Sequence, residues 1–314
     1  MEIELEKMKN QKFTIVIPYY NEVESLPKLK SELKNLKMNF EVIWADDGSV
    51  DGSTECLKKQ SFGKLDFSEK YIRHHKRLGK GKSLIDAIKM SETEIVVFLD
   101  ADGQDDPTLI KYFLEKIESG ADLVNGWRQK RIDATDKTVP SSFANKFLWQ
   151  KVLKTKLHDV NCGFKAMRKS IFEVVPIYGD NYRFLPILAE KSGFLVDEVK
   201  VDHRPRVAGI SKYGTSRLWS GLLDTLTTYF IIKFAERPLH LFGTIAALMG
   251  GVGFVIITIL SIERIFFGEL LYRRPLLWGG ILLVILGVQL FTTGLIAELM
   301  LWEKRKNNLR FQKL

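Results

Sequence analysis

The chain has 314 residues, a formal net charge of +9 and 46% hydrophobic residues, which is room for one substantial domain with its own core plus an appendage. The positive balance points to an anionic partner: nucleic acid, anionic lipid or a phosphorylated substrate. Two cysteines, Cys56 and Cys162, exclude a disulfide framework and a cysteine metal site, and five histidines show no paired metal spacing. The polar start MEIELEKMKNQK predicts no cleavable signal peptide and a first domain that stays cytosolic.

The average composition combines two solvents. Residues 1–237 mix charged and apolar side chains, whereas 238–303 are dominated by Leu, Ile, Val, Phe and Gly. In the first part, β-rich runs at Phe13–Ile17, Phe40–Ala45, Lys70–Arg73, Glu94–Leu99 and Asp122–Asn125 alternate with helical stretches near 24–35, 52–60, 81–91 and 107–119. That alternation predicts a parallel sheet with helices on both faces. Residues 141–203 read as helix, loop, helix and a last strand at Leu195–Val201. In such folds ligands sit where strands end, so the loops after strands are the places to look for chemistry.

Residues 214–237 place Leu218, Trp219, Leu222, Leu223, Leu226, Tyr229 and Phe230 at helical spacing, as in an interfacial helix. Two apolar runs follow, Leu239–Ile262 and Leu276–Leu301, the second interrupted only by Gln289 and Glu298. Each exceeds the roughly 20 residues that cross a bilayer. Basic residues crowd the outer flanks (Lys200, Arg204, Arg206, Lys212, Arg217, Lys233 and Arg237 before, Lys304, Arg305, Lys306, Arg310 and Lys313 after), while the connection holds Arg264, Arg273 and Arg274. Both termini are therefore expected on the cytoplasmic side. Glu298 is expected near the cytoplasmic interface rather than in an oligomer contact.

Three loops carry the chemistry. The strand ending EIVVFLDADGQDDP presents Asp100 and Asp102 one residue apart, a spacing that lets two carboxylates meet on one hard divalent cation, with Gln104 as a further polar contact. The first strand ends in Pro18-Tyr19-Tyr20-Asn21-Glu22 and the second in Asp46-Asp47-Gly48-Ser49-Val50-Asp51-Gly52-Ser53. Asp47 is placed to accept from a base or ribose, and Tyr20 to pack on it. No G-x-G-x-x-G or complete phosphate-binding P-loop is present; Leu78-Gly79-Lys80-Gly81-Lys82-Ser83 lacks the first glycine and is expected to open a helix whose N–H groups and lysines help hold phosphate.

The segments IVIPYYNE, ADDGSVDGS and DADGQDDP, in this order, resemble the family 2 glycosyltransferases of the dolichyl-phosphate mannosyltransferase and polyprenyl-phosphate glycosyltransferase type. The resemblance continues in GWRQKR (126–131), HDVNCGFK (158–165), HRPRVAGISKY (203–213) and the ERPLHLFG that leads into the two-span tail. It implies an α/β GT-A (Rossmann-like) catalytic domain over 1–213, followed by the 214–237 helix, a transmembrane hairpin over 238–303 and a basic tail over 304–314. It also implies inverting transfer of a hexose from a nucleotide-sugar, GDP-mannose, UDP-glucose or UDP-N-acetylglucosamine, onto a polyprenyl phosphate. Carried over by position, Pro18, Tyr20, Glu22, Ala45, Asp47, Asp100, Ala101 and Asp102 contact the nucleotide-sugar, and Asp100, Asp102 and Gln104 hold Mg²⁺ or Mn²⁺. Arg128, Arg206 and Lys212 grip phosphates, Arg131, Lys137 and Ser141 take the acceptor phosphate, and Asp159 is the candidate base, arginine-orienting residue or metal ligand. Relatives often carry an arginine where this chain has Lys137, a point charge in place of a bidentate fork.

A phosphate acceptor is largely dianionic at neutral pH, its second pKa being about 6, so it is already a nucleophile. The demand falls on cations rather than on a strong base. The partners implied are the donor, the lipid phosphate and membrane lipid, with self-association through the spans possible and no nucleic acid. A processive polysaccharide synthase would carry Q-x-x-R-W, which is absent. A non-catalytic phosphate-binding protein would not place a D-A-D strand end beside its ligand.

Overall fold

The computed structural model describes residues 12–59, 67–129, 155, 157–175, 177, 179, 181–202, 204, 226–227, 229–230, 233–234, 237–268 and 274–311, with side chains up to Glu303. The chain divides into two units, Met1–Thr225 and Leu226–Leu314.

In the first unit the described strands are β1 (Phe13–Tyr19), β2 (Phe40–Asp46), β3 (Ser68–Arg73), β4 (Ile95–Phe98), β5 (Leu123–Arg128), β6 (Lys165–Arg168) and β7 (Val196–Val201). They form one sheet in the order β3-β2-β1-β4-β6-β5-β7. The expected parallel sheet is corrected here. β6 was not anticipated, and it pairs antiparallel with both β4 and β5, while the other pairs are parallel. The reversal matters for the site. Lys165, the first residue of β6, lies opposite Phe98 near the end of β4 and opposite Asn125 in β5. The loop that precedes β6 therefore arrives at the same rim as the loops that follow the other strands.

Helices α1 (Leu26–Lys34), α2 (Ser53–Lys59), α3 (Lys80–Met90), α4 (Ile110–Glu118), α5 (Ile171–Val174) and α6 (Leu185–Lys191) cover the sheet. Alternation in β1 sets the two faces. Phe13, Ile15, Ile17 and Tyr19 join Leu26, Leu29 and Leu33 of α1 and Phe113 and Ile117 of α4. Val16 joins Leu84, Ala87 and Ile88 of α3 and Leu185 and Ala189 of α6. The Phe113 and Phe164 rings stack with centroids 4.3 Å apart, pinning the entry to β6 on α4; such a pair adds about 0.5–1.5 kcal/mol beyond its buried area.

The second unit holds α7 (Pro238–Phe267) and α8 (Pro275–Phe311), both long and apolar enough to cross a membrane. Large side chains such as Leu248, Phe254, Ile265, Leu282, Val288 and Leu299 face outward, as lipid requires. The backbones approach through glycines: a Cβ on Gly253 would stand 2.6 Å from the Gly280 carbonyl, and one on Gly287 would stand 2.9 Å from the Ala246 carbonyl. Polar contacts tie both ends. Arg274 bonds Glu263, and Glu298 Oε2 accepts the Leu239 N–H at 3.4 Å, satisfying one of the orphan donors of the α7 N-terminus. α8 continues through EKRKNNLRF, which contains no Gly or Pro to break it. Most of the expected 214–237 helix lies outside the described residues.

The glycine seam predicts a position-specific effect. Gly253→Leu should destabilise the hairpin by about 1–3 kcal/mol through overpacking. Gly251→Leu, whose Cβ meets open space, should leave thermal unfolding in detergent unchanged. Equal unfolding temperatures for the two variants would contradict the seam.

Candidate active site

The rim begins with two loops laced together. The first loop turns at Asn21, which adopts φ 53. Its N–H donates to Ser49 Oγ at 2.9 Å, that of Glu22 to Ser53 Oγ at 2.9 Å and that of Val23 to Asp51 Oδ2 at 3.1 Å. In return the Val50 N–H donates to Asn21 Oδ1 at 2.9 Å. The serines and aspartate of ADDGSVDGS thus satisfy the backbone donors of YYNE, which is what a polar strand-end loop needs in order to hold one shape.

Asp47, expected to meet a nucleotide, organises the 74–79 loop. Its carboxylate accepts the N–H of Leu78 at 2.8 Å and of Gly79 at 2.9 Å, and it faces His74 Nδ1 at 3.2 Å. The other ring nitrogen of His74 faces Asp86 at 3.1 Å. Pro18 and Ala45 lie side by side in register, both buried. Tyr20 is half-buried, and the Arg77 guanidinium lies 4.5 Å above its ring. Glu22 accepts from the Ser25 hydroxyl at 3.0 Å.

At the end of β4, Asp100 bonds Lys80 from the first turn of α3. Ala101 is buried, and Gly103 takes φ 73 so that the chain can turn back. The Gln104 N–H donates to Asp102 Oδ1 at 3.2 Å, and the Gln104 side chain is buried. Three carboxylates, those of Asp100, Asp102 and Asp105, crowd this short stretch. Burial, and then the charges of Asp100 and Asp102, push Asp105 up to about 7. Burial also works against Asp100, but Lys80, Lys165 and Arg128 outweigh it and hold that group below the usual carboxylate range. Lys80 shows the reciprocal effect: burial would lower it, and Asp100 carries it above the ordinary lysine value.

The loop entering β6 closes the rim from the other side. Gly163 lies directly on the Asp100 carboxylate, since a Cβ there would stand 2.5 Å from Oδ2. Asp159 is buried and receives Arg128 through two bonds, Nε to Oδ2 at 2.7 Å and Nη2 to Oδ1 at 3.2 Å. Burial would depress Arg128, but the Asp159 bonds and charge raise it above the ordinary guanidinium value. Beneath them Lys165 is 1% exposed and donates to the Cys162 carbonyl. Burial brings it down to about 8, and burial drives the Cys162 thiol up to about 12, which leaves that sulfur unreactive.

Of the residues expected from sequence, Asp100, Asp102, Gln104, Arg128 and Asp159 belong to one rim with Pro18, Tyr20, Glu22, Ala45, Asp47 and Ala101. Arg131, Lys137, Ser141, Arg206 and Lys212 lie outside the described residues. Sequence reasoning missed Asp105, Lys165 and the pairing of Lys80 with Asp100. The sequence offered no signal for Lys165, because the four residues of β6 are not marked as a strand. Among the described residues no three His, Cys, Asp or Glu side chains converge on a point that would hold a metal by themselves. The chemistry of the donor set, the carboxylates of Asp100 and Asp102 and the amide of Gln104 at one strand end, fits a hard divalent cation.

Comparison with known proteins agrees with this geometry. The model of the family "Glycosyl transferase family 2" matches residues 14–175. A dodecaprenyl-phosphate galacturonate synthase from Rhizobium johnstonii is 29% identical over 93% of this chain and 88% of that protein. An undecaprenyl-phosphate 4-deoxy-4-formamido-L-arabinose transferase from Aeromonas hydrophila is 30% identical over 91% of this chain and 87% of that protein. The fold is shared with glucosyl-3-phosphoglycerate synthase from Mycobacterium tuberculosis, solved with Mn²⁺, UDP-glucose and phosphoglyceric acid (TM-score 0.57, 15% identity, 74% of this chain and 83% of that one).

Gly163 gives a direct test of the rim. Its backbone lies outside the positive-φ region, so Gly163→Ala acts through the contact with Asp100 and not through the backbone. Turnover should fall at least tenfold while the unfolding temperature moves by no more than a few degrees. Unchanged turnover would remove Gly163 from the site.

Proposed function

The chain belongs to glycosyl transferase family 2, and from that premise we propose that it transfers a sugar from a nucleotide-sugar to a polyprenyl phosphate, anchored by its two apolar helices. The observation that carries the proposal is the joining of a carboxylate-rich strand end with a cationic rim, Lys80, Arg128 and Lys165, in a chain that also bears two candidate spans. The names of the relatives support the acceptor class. They speak of galacturonate and a formamido-arabinose, which adds these sugars to the GDP-mannose, UDP-glucose and UDP-N-acetylglucosamine suggested by sequence resemblance as candidate donors.

Both substrates are anionic, and the reaction needs their repulsion offset. When bound, a divalent cation held by Asp100, Asp102 and Gln104 would supply Lewis-acid stabilisation to the departing nucleoside diphosphate. The solved neighbour with Mn²⁺ supports this use of a cation. The chain's own residues do the rest. Lys80 and Lys165 keep Asp100 ionised and ready to bind. Arg128 is oriented by Asp159 so that its remaining donors serve a phosphate; on the family resemblance Arg206 and Lys212 share that role, and Arg131, Lys137 and Ser141 take the acceptor phosphate. With Asp159 committed to Arg128, no strong base is assigned; the dianionic acceptor phosphate attacks the anomeric carbon directly, and the configuration inverts. Tyr20 and Asp47 mark the end of the rim that would take the nucleoside. The charged flanks of the spans support a cytoplasmic catalytic domain with both termini on that side.

The test is a screen of GDP-mannose, UDP-glucose, UDP-N-acetylglucosamine and UDP-galacturonate with one polyprenyl phosphate, read as lipid-linked sugar. One donor should react with Mg²⁺ or Mn²⁺ present and fail in chelator, and Asp102→Ala should lower turnover at least a hundredfold with the fold intact. Normal turnover in that variant, or in chelator, would overturn the cation assignment.

A further inference from the structure

Arg204 is bound to the D-A-D loop from both backbone and side chain. Its N–H donates to the Gln104 carbonyl at 3.0 Å, and Gln104 Nε2 donates back to the Arg204 carbonyl at 3.3 Å. Its guanidinium is shared between two carboxylates. Nη1 lies 3.2 and 3.3 Å from the two oxygens of Glu32 on α1, and Nη2 donates to Asp106 Oδ2. Asp106 in turn accepts the Thr108 N–H at 2.9 Å and its hydroxyl at 2.7 Å through Oδ1, capping the helical turn that begins at Pro107. One side chain therefore joins α1, the exit of the D-A-D loop and the chain just past β7.

We propose that Arg204 is the positioning residue of the D-A-D loop, fixing Gln104–Asp106 so that Asp102 and Gln104 stand where a divalent cation needs them. The inference rests on the cation-assisted reading above. The loop needs such a restraint because its carboxylates repel one another and Gly103 gives it a flexible hinge. Arginine suits the task and lysine does not, because a planar fork engages two carboxylates at fixed angles whereas an ammonium is a point charge. A partly exposed ion pair contributes only about 0–1 kcal/mol to stability. Loss of Arg204 should thus cost little folding free energy, yet an ångström of misplacement at a reacting centre costs on the order of a hundredfold in rate.

The experiment measures Mn²⁺ binding to the full-length protein in detergent by electron paramagnetic resonance, with UDP or GDP present. Wild type is compared with Arg204→Met, Arg204→Lys and the control Arg168→Met. Arg168 is also partly exposed and also bridges two carboxylates, Glu94 and Asp122, on the far side of the sheet from the rim. Arg204→Met should weaken Mn²⁺ binding at least tenfold, Arg204→Lys should recover only part of the loss, and Arg168→Met should match wild type. All should unfold within a few degrees of one another. If Arg204→Met does not fold, Arg204→Lys carries the test. Wild-type Mn²⁺ affinity in the Arg204 variants overturns the inference and leaves the cation reading standing. Absence of Mn²⁺ binding by wild type overturns both.

Discussion

Three carboxylates at the end of one short strand are the constraint on which the rest of this fold depends. Asp100, Asp102 and Asp105 share one short stretch of chain, and the charges of the first two disfavour ionisation of the third. A fold that places them together must bring cations to the same place. Lys80 comes from the start of α3, Lys165 from the floor of β6 and Arg128 from the end of β5. Each is delivered by a different strand or helix, so the charge balance of the rim is a tertiary property. Even with these cations, burial and then the charges of Asp100 and Asp102 push Asp105 up to about 7.

The reversed strand is the topological answer to that demand. A strand parallel to its neighbours would send Lys165 and the 158–164 loop together to the other end of the sheet, away from Asp100. Running antiparallel, β6 brings the loop over Asp100, where Gly163 allows contact with the carboxylate. It also seats Lys165 beneath and presents Asp159 to Arg128. Burying an ammonium is costly, and its tolerance here argues for a purpose beyond packing. The laced loops of β1 and β2 have the complementary role. They hold their end of the rim in one shape.

What the sequence made legible follows from short-range physics. β1, β2 and β4 are apolar runs ended by polar turns, and D-A-D stands out because its acids follow a buried strand. The two spans declare themselves by length and hydropathy. β6 stayed hidden because KAMR offers four residues with charge at both ends, which neither period nor propensity marks as a strand. Lys80 was read as a phosphate ligand because only the folded chain shows Asp100 beside it. Asp47 was read as a nucleotide contact and Asp159 as a base, an arginine-orienting residue or a metal ligand; the fold shows their carboxylates on the N–H groups of Leu78 and Gly79 and on Arg128, partners distant in sequence. Arg204 was seen as one of several basic residues before the first span; its partners, Glu32 and Asp106, are far away along the chain.

The central claim is that catalysis at this rim depends on cations that hold two anionic substrates together, and not on a base that activates an alcohol. The most direct measurement offers the purified protein a polyprenyl phosphate and the corresponding free polyprenol in competition, with its preferred nucleotide-sugar and Mg²⁺ or Mn²⁺. The account predicts that glycosylated lipid forms from the phosphate, with the alcohol at least a hundredfold poorer. A preference for the alcohol would contradict it.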